Sequence, residues 1–319
     1  MKHWEHYWQT AQSLNSFVDK HSDGYKDEID NFWKATFNAL NEKQRVLDIA
    51  TGNGALAFAV QQYSDQHDLS LTVCASDAAA INPVIHFSNK TELLFTLKKI
   101  SFFPLARTET LPFSAGSFDL LMSQFGFEYS DQELAFTEVN RVLMSGGRFV
   151  ALVHHADSFI SVDSDNSLQL LHYVLDQKHL VAEAIKALEY AEQQMALGVQ
   201  LKADLVFQQM NSALILAFQD FRQHCIAQQN EAWYNAFAEE FVPALLELRS
   251  GCACKMKNFE YSLQSHQQRL IEQNRCRWSV SEVNQIISLV CPSLWLEVDI
   301  KPFYTAEGLY SWQLSMVKR

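Results

Sequence analysis

Two aspartates and a glycine turn are the residues of this chain best placed to do chemistry. Asp48 precedes Gly52 and Gly54 in RVLDIATGNGALAFAV, and Asp77 closes the next apolar run, LSLTVCASD. Glycines let a backbone turn tightly and let a ligand approach the main chain. Free amides at the start of the following helix can bind a ligand's carboxylate or another anionic part. In an open parallel sheet, ligands bind beyond the carboxyl ends of the strands. A carboxylate there can accept two hydrogen bonds from a ribose diol. The combination points to a nucleoside-containing cofactor.

Which cofactor is a separate question. Gly52-Asn53-Gly54-Ala55-Leu56-Ala57 also satisfies the dinucleotide fingerprint G-x-G-x-x-G/A, with Asp77 as the ribose acid. An NAD(P)-dependent oxidoreductase therefore stays open. Three features favour a methyl donor instead. Asp48 lies inside the first strand, ahead of the glycines. Residues 109–119 read ETLPFSAGSFD, immediately before a further strand. The chain ends in a strand pair, not in a second mononucleotide half.

The elements that must position these residues follow from periodicity. Residues 1–45 are aromatic-rich: Trp4, Tyr7 and Trp8, then Phe17, then Ile29, Phe32, Trp33, Phe37 and Leu40. The last group recurs at three- and four-residue steps, as on an amphipathic helix. Strands are expected at 46–50, 69–77, near 100–106, at 117–125 and over GRFVALVHH. Helices are expected from Ala55 and over DQELAFTEVNRVL, where Asp131 stands near the start and Gly146-Gly147 lie just beyond the end. Strands alternating with helices, several of them apolar on both faces, predict a parallel sheet covered by helices. From 157 to 278 the pattern is all-helical, with stripes at Leu168, Leu171 and Leu175; Val181, Ile185 and Leu188; Val206, Met210, Ala213 and Ala217; and Trp233, Phe237, Phe241 and Leu245. Pro243 is expected to bend the last of these. The tail then returns to a helix near 279–290 and strands LWLEVDIKPF and YSWQLSMVK, an antiparallel pair around Gly308.

VLDIATGNGALA, then Asp77, then ETLPFSAGSFDLLMSQF, then EVNRVLMSGGRFV resemble the successive motifs of class I S-adenosylmethionine-dependent methyltransferases. The similarity is to the small-molecule branch that includes ubiquinone and menaquinone methyltransferases. It covers roughly 40–155 by motif and 279–319 by element order. The resemblance implies a Rossmann-like seven-stranded α/β sheet with helices on both faces, plus an all-helical insertion. It implies a core of 1–156 and 279–319, an N-terminal helical lid over 1–45, and an insertion at 157–278.

It also implies roles. Ala50, Thr51 and Gly52 would lie along the methionine part of S-adenosyl-L-methionine, and Asp48 would support that loop. Asp77 would hold the ribose hydroxyls, with Ala78 against the adenine. The family's adenine-binding acid falls at Arg107, which has no acceptor, so Thr108, Glu109 or a backbone carbonyl would take its place. Ser123, Gln124 and Phe125 would line the pocket beside the sulfonium and the acceptor. Methyl transfer from a sulfonium is a direct displacement, in which alignment supplies much of the rate. A base is needed only where the acceptor must lose a proton. The candidates are His154 and His155, of which at most one can face the site because adjacent strand residues point opposite ways, and Glu128 or Tyr129. Tyr7 or Trp8 would contribute to the lid. A non-catalytic S-adenosylmethionine-binding protein is the other alternative.

Composition narrows the partners. A net charge of -12 repels nucleic acid. No apolar run approaches the length of a membrane span. MKHWEHYWQT has no signal-peptide stretch, so the expected setting is the cytoplasm, with the six cysteines as reduced thiols and no metal. The expected partner is a small-molecule methyl acceptor. The helical insertion is expected either to cap the acceptor pocket or to form a homodimer interface.

Overall fold

Arg45–Ile49 forms β1 because four consecutive residues after Arg45 are buried on both faces, as a central parallel strand requires. A computed structural model describes residues 2–16, 25, 27–290 and 293–319. The aromatic position Phe17 lies outside the described residues. Contacts divide the chain into two compact units, 1–162 with 272–319, and 163–271.

In the first unit, α1 (Lys2–Thr10) and α2 (Asp27–Phe37) precede β1. Then come α3 (Ala55–Gln66), β2 (Thr72–Ser76), α4 (Pro83–His86), α5 (Thr91–Leu97), β3 (Ser101–Phe103), β4 (Phe118–Gln124), α6 (Gln132–Val142) and β5 (Leu143–His154). α7 (Phe159–His172) leads into the second unit. The sheet order is β3-β2-β1-β4-β5-β7-β6, where β6 is Trp295–Thr305 and β7 is Gly308–Lys318. β1 through β5 pair in parallel, while β7 runs antiparallel to both β5 and β6. The reversal between β1 and β4 is the switch point at which such sheets bind ligands.

Two cores sandwich this sheet. One gathers Trp33, Phe37, Val46, Val60, Leu120 and Leu152; the other gathers Leu47, Phe118, Phe127, Phe149, Leu314 and Met316. Successive residues of β1 and β4 thus enter opposite cores, as the period of two dictates. Asp131 caps α6, its side chain accepting from Leu134 N. β5 starts at Leu143, earlier than GRFVALVHH suggests, because α6 turns straight into extended backbone at that residue.

The second unit is helical. It contains most of α7, then α8 (Leu180–Ala196), α9 (Leu205–Ala227), α10 (Glu231–Leu246) and most of α11 (Cys252–Cys276). Its core holds Leu171, Val181, Leu188, Phe221, Phe237 and Phe241. The stripe expected on α9 is displaced. Val206 and Ala213 are exposed, and Leu214, Phe221 and Cys225 are buried instead. Met210 and Ala217 of the expected stripe still pack against this core, beside Phe218. The last helix, α12 (Val280–Leu289), belongs to the first unit and starts in a capping box of Ser279 and Glu282. Among the described residues no helix is long and apolar enough to cross a membrane.

Candidate functional site

The turn after β1 is built by Asp48. Its carboxylate, almost fully buried, accepts from the Thr51 hydroxyl and from Ala57 N (3.1 Å), tying the strand to the first turn of α3. Burial drives its pKa up to about 7, against the lowering effect of those two hydrogen bonds. Asp48 does not line the cavity described below. Its role is to hold the turn.

Asp77, at the tip of β2, is the second anchor. One oxygen accepts from Gly52 N (2.8 Å) and the other from Ala79 N (2.7 Å). Burial raises its pKa, while the two backbone bonds oppose the rise. Each carboxylate oxygen keeps a second lone pair, so the group can still accept from a vicinal diol.

A cavity of about 350 Å³ opens at these strand ends. That is within the usual range for a small-molecule site. One end is lined by Asp77, Ala78, Arg107, Thr108 and Glu109, and the middle by Ala50, Phe125 and Gly126. The remaining wall is Trp4, Trp8, Tyr129, Ser130, Glu272 and Cys276. Ala50 and Phe125, at the ends of β1 and β4, both have left-handed backbone, with φ of 52° and 55°. Such strain collects where a site needs a particular backbone path. Gly126 allows the two ends to meet, since a Cβ there would stand 2.5 Å from the Ala50 methyl.

The residues expected to recognise adenine come together. Arg107 Nη2 donates to Glu109 Oε1 (3.1 Å), which also accepts from Asp131 N. Burial would raise the Glu109 carboxyl, but hydrogen bonds from its own backbone, from Asp131 N and from Arg107 outweigh it and hold the group below its ordinary value. Arginine at the family's acid position thus orients the acid that stands two residues later.

Other expected residues lie elsewhere. Ser123 is fully buried and its hydroxyl donates to Ile49 O (2.9 Å), so it ties β4 to β1 and does not line the cavity. Gln124 Oε1 accepts from Trp33 Nε1 (2.6 Å), facing α2. Thr51 is spent on Asp48. The amides of Thr51, Gly52 and Gly54 bond Ser76 O, Asp77 and Thr51 O, so these three amides are not free to receive an anion. Gly52 itself is covered: an added Cβ would come within 2.3 Å of the Trp8 ring. Asn53 Nδ2 donates to Trp8 O (3.0 Å) and secures α1 there.

Neither histidine reaches the cavity. His154 and Glu128 form a buried pair, in which Glu128 Oε1 accepts from His154 N (2.9 Å) and lies 2.5 Å from His154 Nδ1. The Phe125 ring covers His154, with centroids 4.3 Å apart. His155 points the other way and stacks on Trp312 at 4.3 Å, while its Nδ1 accepts from Asp157 N. The two do face opposite ways, but the sheet buries both. Of the four candidate bases only Tyr129 lines the cavity.

Sequence reasoning missed Glu272 and Cys276, which it placed in the helical insertion. Glu272 Oε2 accepts from Trp4 Nε1 (2.9 Å) and lies 2.8 Å from His3 Nε2. Burial would raise Glu272, but these bonds and the His3 charge outweigh it and lower the pKa. Burial pushes the Cys276 thiol up to about 12, so it is not a thiolate. Among the described residues no group of three His, Cys, Asp or Glu side chains could hold a metal.

A cavity at the switch point, with a buried carboxylate and a glycine turn at its edge, is the arrangement in which open α/β sheets bind ligands. Residues 12–195, more than half of the chain, match the ubiE/COQ5 methyltransferase family, and the chain belongs to that family. It is 35% identical over 126 residues to the ubiquinone/menaquinone biosynthesis C-methyltransferase UbiE of Sinorhizobium fredii, covering 38% of this chain and 47% of that protein. It is 34% identical over 110 residues to a demethylmenaquinone methyltransferase of Thermus thermophilus, covering 34% and 46%. The chain thus spans about half the length of the relatives it matches. Among solved structures, it is similar to a geranyl diphosphate C-methyltransferase of Streptomyces coelicolor, at 16% identity and TM-score 0.33 over 40% of this chain and 43% of that one.

Proposed function

We propose that this chain is a cytoplasmic S-adenosylmethionine-dependent methyltransferase that moves a methyl group to a small-molecule acceptor by direct displacement. One observation carries the reading. The Asp77 carboxylate, clamped by Gly52 N and Ala79 N, opens into the cavity beside Ala78, Thr108 and Glu109. That end fits an adenosine: an acceptor pair for the ribose diol, a small flat contact at Ala78, and a carboxylate beside the base.

The amino-acid end fits on one condition. The Trp8 indole lies on Gly52, where the methionine part would rest, so α1 must shift for the whole molecule to enter. Once bound, S-adenosylmethionine supplies a methyl already activated on sulfur. What the protein adds is alignment and exclusion of water. Phe125, Tyr129 and Trp4 supply an apolar wall for both tasks. Glu128 and His154 position the segment after β4 and do not act as base. Tyr129 and Glu272 are the lining groups within reach of an acceptor proton. The relatives are named for C-methylation in ubiquinone and menaquinone biosynthesis, so acidic carbon acceptors are the first class to assay.

Titration calorimetry with S-adenosylmethionine, S-adenosylhomocysteine and NAD tests the reading. Binding of the first two without NAD is expected, and binding of NAD alone defeats it in favour of an oxidoreductase. Tight cofactor binding with no label transferred into a broad metabolite extract would turn the assignment to a non-catalytic binding protein.

A further inference from the structure

The outermost strand leaves an apolar row uncovered. β6 ends the sheet order and, among the described residues, pairs with β7 alone. Its residues alternate between faces. Val298, Ile300, Pro302 and Tyr304 share one face, and Glu297, Asp299, Lys301 and Phe303 the other. The apolar row is the outward continuation of a buried one: Val298, Ile300 and Pro302 stand opposite Met316, Leu314 and Trp312, all three buried. Yet Val298 is 39% exposed, Tyr304 62%, and Leu296, at the bulge beside Trp295, 55%. A row of this kind on an edge strand needs an occupant or a guard.

Pro302 fixes which backbone groups face outward. Proline has no N–H for the ladder, so its pair with Trp312 is of the non-hydrogen-bonded kind, and its main chain points to the open edge. The same parity turns the N–H and C=O groups of Val298 and Ile300 outward.

We propose that β6 is a self-association seam, pairing antiparallel with β6 of a second copy about a two-fold axis through Ile300. The charges select this register. With the axis at Ile300, Asp299 stands opposite Lys301 of the second copy, and Lys301 opposite its Asp299. Both are exposed in the single chain, where they pair with each other at 2.7 Å and would exchange that contact for the one across the seam. With the axis at Asp299, two aspartates oppose each other directly. With the axis at Lys301, two lysines do. The Ile300 register also gives each Ile300 N–H to the other Ile300 carbonyl, and each Val298 N–H to a Pro302 carbonyl. The missing Pro302 N–H removes two further bonds from the seam, and growth stops at two copies because the two-fold pairing uses the open β6 edge of each. Val298 meets Pro302 of the second copy and Leu296 approaches its Tyr304, so the exposed row is covered by the same residues from the other side, as an isologous contact requires.

Size-exclusion chromatography with light scattering on the full chain tests this. Wild type should have twice the 36.5 kDa mass of one chain. Asp299→Lys and Lys301→Asp should each run as monomers, with dissociation constants raised at least tenfold. Both sites are exposed, so their melting temperatures should match wild type. An equimolar mixture of the two variants should regain the dimer, because the doubly basic edge of one faces the doubly acidic edge of the other. A monomeric wild type at tens of micromolar overturns the proposal. So does a dimer that ignores both substitutions, or a mixture that stays monomeric.

Discussion

Truncating Trp8 should tighten binding of S-adenosylmethionine. The indole lies on Gly52, leaving no room for a methyl group there. Trp8 also stacks with Trp4, with centroids 6.3 Å apart at 22°, and meets Tyr7 edge-on at 4.9 Å. An aromatic pair of this kind is worth about 0.5–1.5 kcal/mol beyond its area. A ligand that needs the Gly52 face must first displace the ring. Its apparent affinity is then reduced by the fraction of molecules already open. Two such contacts make the closed form about 1–3 kcal/mol better than the open one, so Trp8→Ala should lower the dissociation constant roughly 5- to 150-fold. Calorimetry measures the affinity directly, and stopped-flow fluorescence of the remaining tryptophans should show the gain mainly in the association rate. The Asn53 bond to the Trp8 carbonyl involves only backbone on the Trp8 side, so the variant keeps the anchor of α1 and isolates the ring. Weaker binding in Trp8→Ala would refute the argument, because it would mean that the indole grips the cofactor instead of standing in its place.

Three other perturbations follow from the same geometry. Asp77→Asn keeps one acceptor oxygen for the two backbone amides and should weaken cofactor binding by about 1–3 kcal/mol, read by calorimetry; unchanged affinity would remove Asp77 from the ribose contact. Asp48, with a folded pKa of about 7 against roughly 3.9 unfolded, destabilises the fold increasingly as pH rises from about 4 to 7, because burial disfavours the charged form. Asp48→Asn should therefore gain about 2 kcal/mol relative to wild type between pH 5 and pH 8 in urea denaturation, and a pH-independent difference would contradict the assigned shift. Glu128→Ala leaves His154 N–H without its acceptor inside the sheet and should cost on the order of 3 kcal/mol of stability. A loss of turnover at unchanged melting temperature would make Glu128 a base after all.

How much of this was legible in the sequence depends on how local the signal is. The strand-turn-helix unit at 45–66 and the acid at 77 were legible, because glycine positions and a two-sided apolar run are local facts. So was the terminal strand pair, since alternation around Gly308 is local too. The pocket wall was not. Ser123 and Gln124 sit on the strand expected to line it, yet Ser123 donates to Ile49 O inside the sheet and Gln124 Oε1 accepts from Trp33 Nε1 of α2. Sequence gives a residue's place along a strand, but not whether a neighbouring element offers its polar group a partner. The histidines fail for the same reason: a pair at a strand end reads as chemistry, and only Glu128, Phe125 and Trp312 turn it into packing. Glu272 and Cys276 are the converse case. They close a 25-residue helix that starts in the other unit, and no periodicity marks the turn at which that helix joins the core. What could have raised Glu272 is the N-terminus. His3 and Trp4 carry polar rings on one short helix, and both converge on the Glu272 carboxylate.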